Sequence, residues 1–164
     1  MYFRVLVMGA PIPQGSKNPW GGEANPKTRP WRGHVSQVVG EEWGDTPILL
    51  GPVSVRVTFA LPRPKSHFRT GKNAHLLRDD HPFYKQGKPD TDKLQRAIGD
   101  SLTGVVMRDD SQIVHWNVRK LYDDQAYADI TIIDLTGGQN DTGRSSDTAT
   151  GQDSRSPDPG VGQA

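Results

Sequence analysis

Residues 88–104, KPDTDKLQRAIGDSLTG, are the most constrained stretch of the chain. Pro89 stops a helix from extending back through it, and Gly104 suits the residue just past a helix end. At about 100° per residue, Leu94, Ala97, Ile98, Ser101 and Leu102 share one side of the intervening helix, and Asp92, Arg96 and Asp100 share the other. The pattern predicts a helix from about Thr91 to Leu102 that buries one stripe against a sheet and presents an Asp–Arg–Asp row. Gly99 weakens such a helix by roughly 1 kcal/mol relative to alanine, and the sequence offers no reason for it.

Strands flank this helix on both sides. Phe3–Met8 reads as a strand ended by the punctuation of Gly9, Pro11 and Pro13, and Pro52–Leu61 alternates with Val53, Val55, Val57 and Phe59 on one face. Ile113–Leu121 and Tyr127–Leu135 read as an antiparallel pair turning at Asp123 and Asp124. Residues 14–33, rich in Gly, Pro, Lys and Trp, read as an irregular loop, with a short helix from Val35 to Trp43. Residues 62–89 form a long connection of the kind that is usually functional or mobile. Residues 137–164 hold almost no core-forming side chains, which predicts one domain over 1–136 and a disordered tail over 137–164.

Composition narrows the classes. There is no cysteine among the 164 residues, which excludes disulfides and thiolate metal sites and fits a reducing cytoplasm. No apolar run approaches the ~20 residues of a membrane span. Net charge is +1, but taking the two basic and four acidic residues of 137–164 from 20 and 19 leaves 18 against 15 in residues 1–136. The excess is clustered: Arg63, Lys65, Arg69, Lys72, Arg78, Lys85 and Lys88 face only Asp79 and Asp80, and Lys17, Lys27, Arg29 and Arg32 form a second group. Such clusters suit a polyanion footprint or a solvated surface.

The carboxylates point to chemistry. Asp90 falls at the helix start and Asp92 in its first turn, where capping and dipole pairing are ordinary structural roles. That leaves Asp109 and Asp110, just before a strand, unexplained. If the strand start returns beside the helix N-terminus, three carboxylates meet, and oxygen-only ligands suit Mg²⁺ or Mn²⁺ and not Zn²⁺. Other motifs fail. GAPIPQGSK, residues 9–17, has the wrong spacing for a phosphate-binding loop, and Asp90–Asp92 lacks the glycine and distal glutamate of a calcium loop. His67, His75 and His81 are scattered along the loop, and Trp20, Trp31 and Trp116 are more often packed than stacked on bases.

The composite of residues 88–104 with RDDSQIV, residues 108–114, resembles the RusA family of Holliday-junction resolvases, whose signature is K-P-D-x-D-[NK]-L-x-[KR]-x-x-x-D-A-L-[TN]-G followed by D-D-x-Q-[IV]. GAPIPQGSK and RPKSH, residues 63–67, also resemble members found in phages and prophages, so the likeness spans about residues 3–135. It implies an α/β fold, a small mixed sheet flanked by helices, in a homodimer that cuts four-way or other branched DNA in the cytoplasm of a bacterial host.

Residue by residue, the resemblance implies Asp90, Asp92 and Asp110 as ligands of Mg²⁺, with Mn²⁺ the alternative ion. It places the catalytic or DNA-contacting basic residue at Arg96, with Asp100 a further acid of the motif and Asp109 the other member of the Asp109–Asp110 pair. Lys17, Arg63, Lys65, Lys72, Lys85, Lys88 and Lys93 are the expected DNA contacts. Lys93 stands where many members have Asn, and Arg96 where many have Lys; arginine keeps the charge but does not readily give up a proton. The alternative is a branched-DNA-binding module of the same fold that does not cut.

Overall fold

The structure is a computed structural model describing residues 1–15 and 25–137. Lys17, Trp20 and the tail from residue 138 lie outside the described residues. Four strands, β1 (Tyr2–Met8), β2 (Val53–Pro62), β3 (Ile113–Asp123) and β4 (Tyr127–Asp134), form one mixed sheet in the order β1-β4-β2-β3. Helices α1 (Thr28–Trp43) and α2 (Thr91–Leu102) cover one face of it. No described helix is long and apolar enough to cross a membrane.

The α2 stripe packs as its periodicity predicts: Leu94, Ala97, Ile98, Ser101 and Leu102 are buried, and Asp92 and Arg96 are exposed. It meets Val53, Val55, Val57 and Phe59 of β2 and Ala128, Ile130 and Ile132 of β4 in one core. Burial of each of the Val, Leu, Ile and Phe side chains among them contributes about 1.5–3 kcal/mol.

Two expectations are corrected. The reading of 14–33 as loop misses the start of α1, which begins at Thr28, a full turn and more before Val35. Pro30 is tolerated there because the first N–H groups of a helix have no intrahelical partner. Thr28, Trp31, Val35, Val39 and Trp43 continue one buried stripe through it.

The second correction concerns pairing. β3 and β4 are not partners: β2 lies between them, antiparallel to β4 and parallel to β3. β2 is buried along nearly its whole length and takes the centre of the sheet, whereas the more polar and more exposed β3 takes an edge. Strands lie about 4.8 Å apart, so the short turn after Asp123 can cross the end of β2. The long 62–89 connection then shields the β3 edge, with Tyr122 N donating to Phe83 O at 3.0 Å and Lys85 N to Lys120 O at 3.3 Å.

Candidate active site

Asp90 occupies the N-cap of α2 in extended conformation, yet its side chain makes no capping hydrogen bond. It faces Lys93 Nζ at 3.2 Å, an ion pair with both side chains nearly half exposed and therefore weak. Asp92 follows in the first turn, exposed. The ordinary capping role is thus not what occupies Asp90.

The acidic pair before β3 divides its labour. Asp109 Oδ1 accepts from Ser111 N at 2.9 Å, while Gln112 Oε1 accepts from Asp109 N at 2.9 Å, a reciprocal capping box. The Ser111 hydrogen bonds hold the Asp109 carboxyl below its ordinary range. Gln112 Nε2 also donates to Leu49 O at 3.0 Å and Gly51 O at 2.9 Å, tying the turn to the chain ahead of β2. Asp110 is left exposed, with a carboxylate that the turn does not use.

Asp110 lies against the middle of α2. A Cβ built on Gly99 would stand 3.6 Å from Asp110 Cβ and 3.6 Å from Trp116 Cζ2. Gly99 is seven residues beyond Asp92, within about 20° of it around the helix and about 10.5 Å along the axis. The strand start therefore returns about two turns past the helix N-terminus and not beside it. Among the described residues no three Asp, Glu, His or Cys side chains gather as a metal-holding group. Asp92 and Asp110 instead follow one face of α2, with Asp90 at its N-cap. Their chemistry still fits a hard cation, because Mg²⁺ is commonly held by one or two carboxylates with water and substrate phosphate completing the shell.

Arg96 is exposed on the Asp92 side of α2 and has no ion pair among the described residues. Asp100 pairs with Arg32 of α1 at 3.2 Å, a helix-to-helix contact. Sequence reasoning missed Lys120. Its ammonium donates to Gly87 O and, at 2.6 Å, to Pro89 O, on either side of the cis Lys88–Pro89 bond. Burial and the Lys85 ammonium push Lys120 below the ordinary lysine range, while the Asp90 carboxylate opposes them. Its place on the helix-facing side of β3, beside Trp116 and Val118 in alternation, was the available signal.

The basic residues separate by partner. Arg69 pairs with Asp79 at 2.8 Å and Arg78 with Asp80 at 3.0 Å, so both loop acids are taken up locally. Arg63 clasps the loop by donating to Pro82 O at 3.0 Å and Tyr122 O at 3.2 Å, and Lys85 lies 5.2 Å from the Tyr122 ring centroid. Lys65, Lys72 and Lys88 are exposed without ion pairs among the described residues. Trp31 and Trp116 pack on the core, and His67 stacks edge-on with Tyr122 at 4.7 Å. A cleft of about 340 Å³ between Pro13, Lys88, Pro89, Asp90 and Lys93 opens at Asp90. Gln14 N donates to Lys93 O at 2.9 Å, which anchors the chain after β1 against α2.

The profile of the endodeoxyribonuclease RusA family matches residues 12–133, from the β1 exit through β4. The chain belongs to the RusA endodeoxyribonuclease family. That span holds Asp90, Asp92, Arg96 and Asp110 together. This RusA-family chain is also 29% identical over 141 residues to the uncharacterized protein YqaN of Bacillus subtilis (strain 168), covering 81% of this chain and 96% of YqaN. The family is one of endodeoxyribonucleases, enzymes that cleave phosphodiester bonds in DNA.

Proposed function

We propose that this chain is a divalent-metal-dependent nuclease that resolves four-way and related branched DNA junctions as a homodimer. The observation carrying the reading is that the fold leaves the right carboxylates unused. Asp109 caps its turn, Asp90 caps nothing with its side chain, and Asp110 and Asp92 face solvent. In this reading Asp90, Asp92 and Asp110 hold Mg²⁺ or Mn²⁺. Bound there, such a cation supplies Lewis acidity and an activated water for phosphodiester hydrolysis.

The remaining work falls to this chain's own side chains. Arg96 neutralises charge that develops on the scissile phosphate. A guanidinium there acts by charge and not as a general acid. Lys65, Lys72 and Lys88 hold the DNA backbone by charge without reading sequence, and Lys17 is assigned the same role from the sequence. Lys120 fixes the chain immediately ahead of Asp90.

The separation of Asp110 from the α2 start favours a second reading, a junction-binding module that does not cut. Incubating the full chain with a labelled four-way junction, a fork and a linear duplex, each with Mg²⁺, Mn²⁺ or EDTA, distinguishes the two. Metal-dependent cuts in the branched substrates are expected. Binding to the junction with no cut in either metal establishes the second reading in its place.

A further inference from the structure

The sheet face turned away from the helices carries a basic cleft that no part of the proposed cutting site uses. Side chains that share this face align across the four strands in rows. One row runs Arg4, Thr131, Arg56, Asn117, and the next runs Leu6, Asp129, Thr58, Arg119. The strands lie about 4.8 Å apart, and same-face neighbours along each lie about 7 Å apart. Arg4, Arg56 and Arg119 therefore converge on one cleft of about 220 Å³, floored by Thr58 and Thr131.

Three guanidinium groups there meet a single carboxylate, Asp129. Asp129 is occupied by Arg4, which donates from Nε at 2.9 Å and Nη2 at 2.8 Å. Arg119 donates its Nε to Thr58 Oγ1 at 2.9 Å, which orients the guanidinium and leaves its outer nitrogens available. Arg56 is exposed, and neither it nor Arg119 has a carboxylate partner among the described residues. The cleft thus has a net charge of +2, two oriented arginines and hydroxyls in its floor, a combination suited to phosphate oxygens.

We propose that this open face is a second DNA-backbone site, which grips one arm of the substrate while the acids on the helix side address another. The inference rests on the branched-DNA reading above. A second copy of the chain fits the face less well. Symmetric docking would bring six guanidinium groups against two carboxylates in a dehydrated interface.

The test compares the full chain with Arg56→Gln/Arg119→Gln, measuring binding to a four-way junction and a linear duplex in EDTA across a salt series. Arg56→Gln alone, at an exposed side chain, guards against misfolding of the double variant, and Arg56→Lys is the charge-keeping control. The double variant is expected to bind the junction roughly ten-fold more weakly, with a log–log salt slope smaller by about one to two. Junction affinity should fall further than duplex affinity, and Arg56→Lys should retain the parent slope. Unchanged junction affinity and slope in folded Arg56→Gln and in the double variant overturn this site alone. Conversion of a dimer to monomers by either variant overturns it in favour of an interface between copies. Failure of the parent to bind any DNA overturns both this site and the branched-DNA reading.

Discussion

Lys120 Nζ donates to the carbonyl oxygen of Pro89 at 2.6 Å, one residue before Asp90. The same ammonium reaches Gly87 O, so a side chain from the edge strand holds the approach to α2 in place. Lys120→Met leaves both carbonyls without this partner and should release the Asp90 backbone. Cleavage should fall at least ten-fold at limiting metal, with a higher metal concentration needed for half-maximal rate. Junction affinity in EDTA should hold. Lys120→Arg should recover part of the loss. A lower melting temperature with an unaltered metal requirement would reduce Lys120 to a structural clasp.

Asp92→Asn keeps the side-chain shape in the first turn of α2, so stability should change by about 1 kcal/mol or less. Metal affinity should drop because an amide oxygen is a poorer ligand for a hard cation. The variant should bind junctions at least as tightly as the parent and cut them at less than a hundredth of its rate. Asp110→Asn should behave alike. Asp109→Asn should instead affect stability more than cutting, because Asp109 caps its turn. Parental cutting by Asp92→Asn would remove these acids from the site.

Arg96 is exposed and has no ion pair among the described residues, so its removal should leave folding intact. Arg96→Lys should retain substantial cleavage and Arg96→Ala should lose most of it, measured as single-turnover rates on a labelled junction. Equal rates in Arg96→Ala and the parent would make it a solvated surface residue.

Gly99 separates helix stability from Asp110 placement. An alanine Cβ would meet Asp110 Cβ and Trp116 Cζ2 at 3.6 Å, ordinary contact distance. Gly99→Ala should therefore stabilise the protein by up to about 1 kcal/mol through helix propensity, with cleavage retained. Gly99→Leu should displace Asp110 and cost at least ten-fold in cleavage while leaving DNA binding unaffected. Full activity in folded Gly99→Leu would show that the Asp110 position is immaterial.

Tyr127 OH donates to Asp123 Oδ2 at 2.9 Å across the β3–β4 turn. That hydrogen bond, then burial, raises the tyrosine above its ordinary value. With the folded value raised, its stabilisation is complete below the unfolded value of about 10. It is lost as pH rises through the higher folded value. Melting temperatures of the parent and Tyr127→Phe should thus converge on passing from pH 9 into that alkaline range. A constant difference would disconnect Tyr127 ionisation from stability.

The amino-acid sequence alone determined what local rules control. The α2 bounds, its buried stripe and its outward Asp–Arg row follow from Pro89, Gly104 and a 3.6-residue period, all within one segment. The strands were legible for the same reason, since alternation is also local. What each element meets was not. Trp31 joined a helix because a core awaited its ring, overriding Pro30 and Gly33, and β4 bypassed β3 because β2 was the more apolar neighbour. The pair Asp109 and Asp110 looked equivalent as letters. Only the docking of Gln112 on Leu49 and Gly51 made one a cap and left the other exposed. Lys120 acts across 31 residues of chain on Pro89, and the three sheet arginines come from three strands. Such convergence depends on strand order and register, which the energy of the whole packed sheet selects and no single segment encodes.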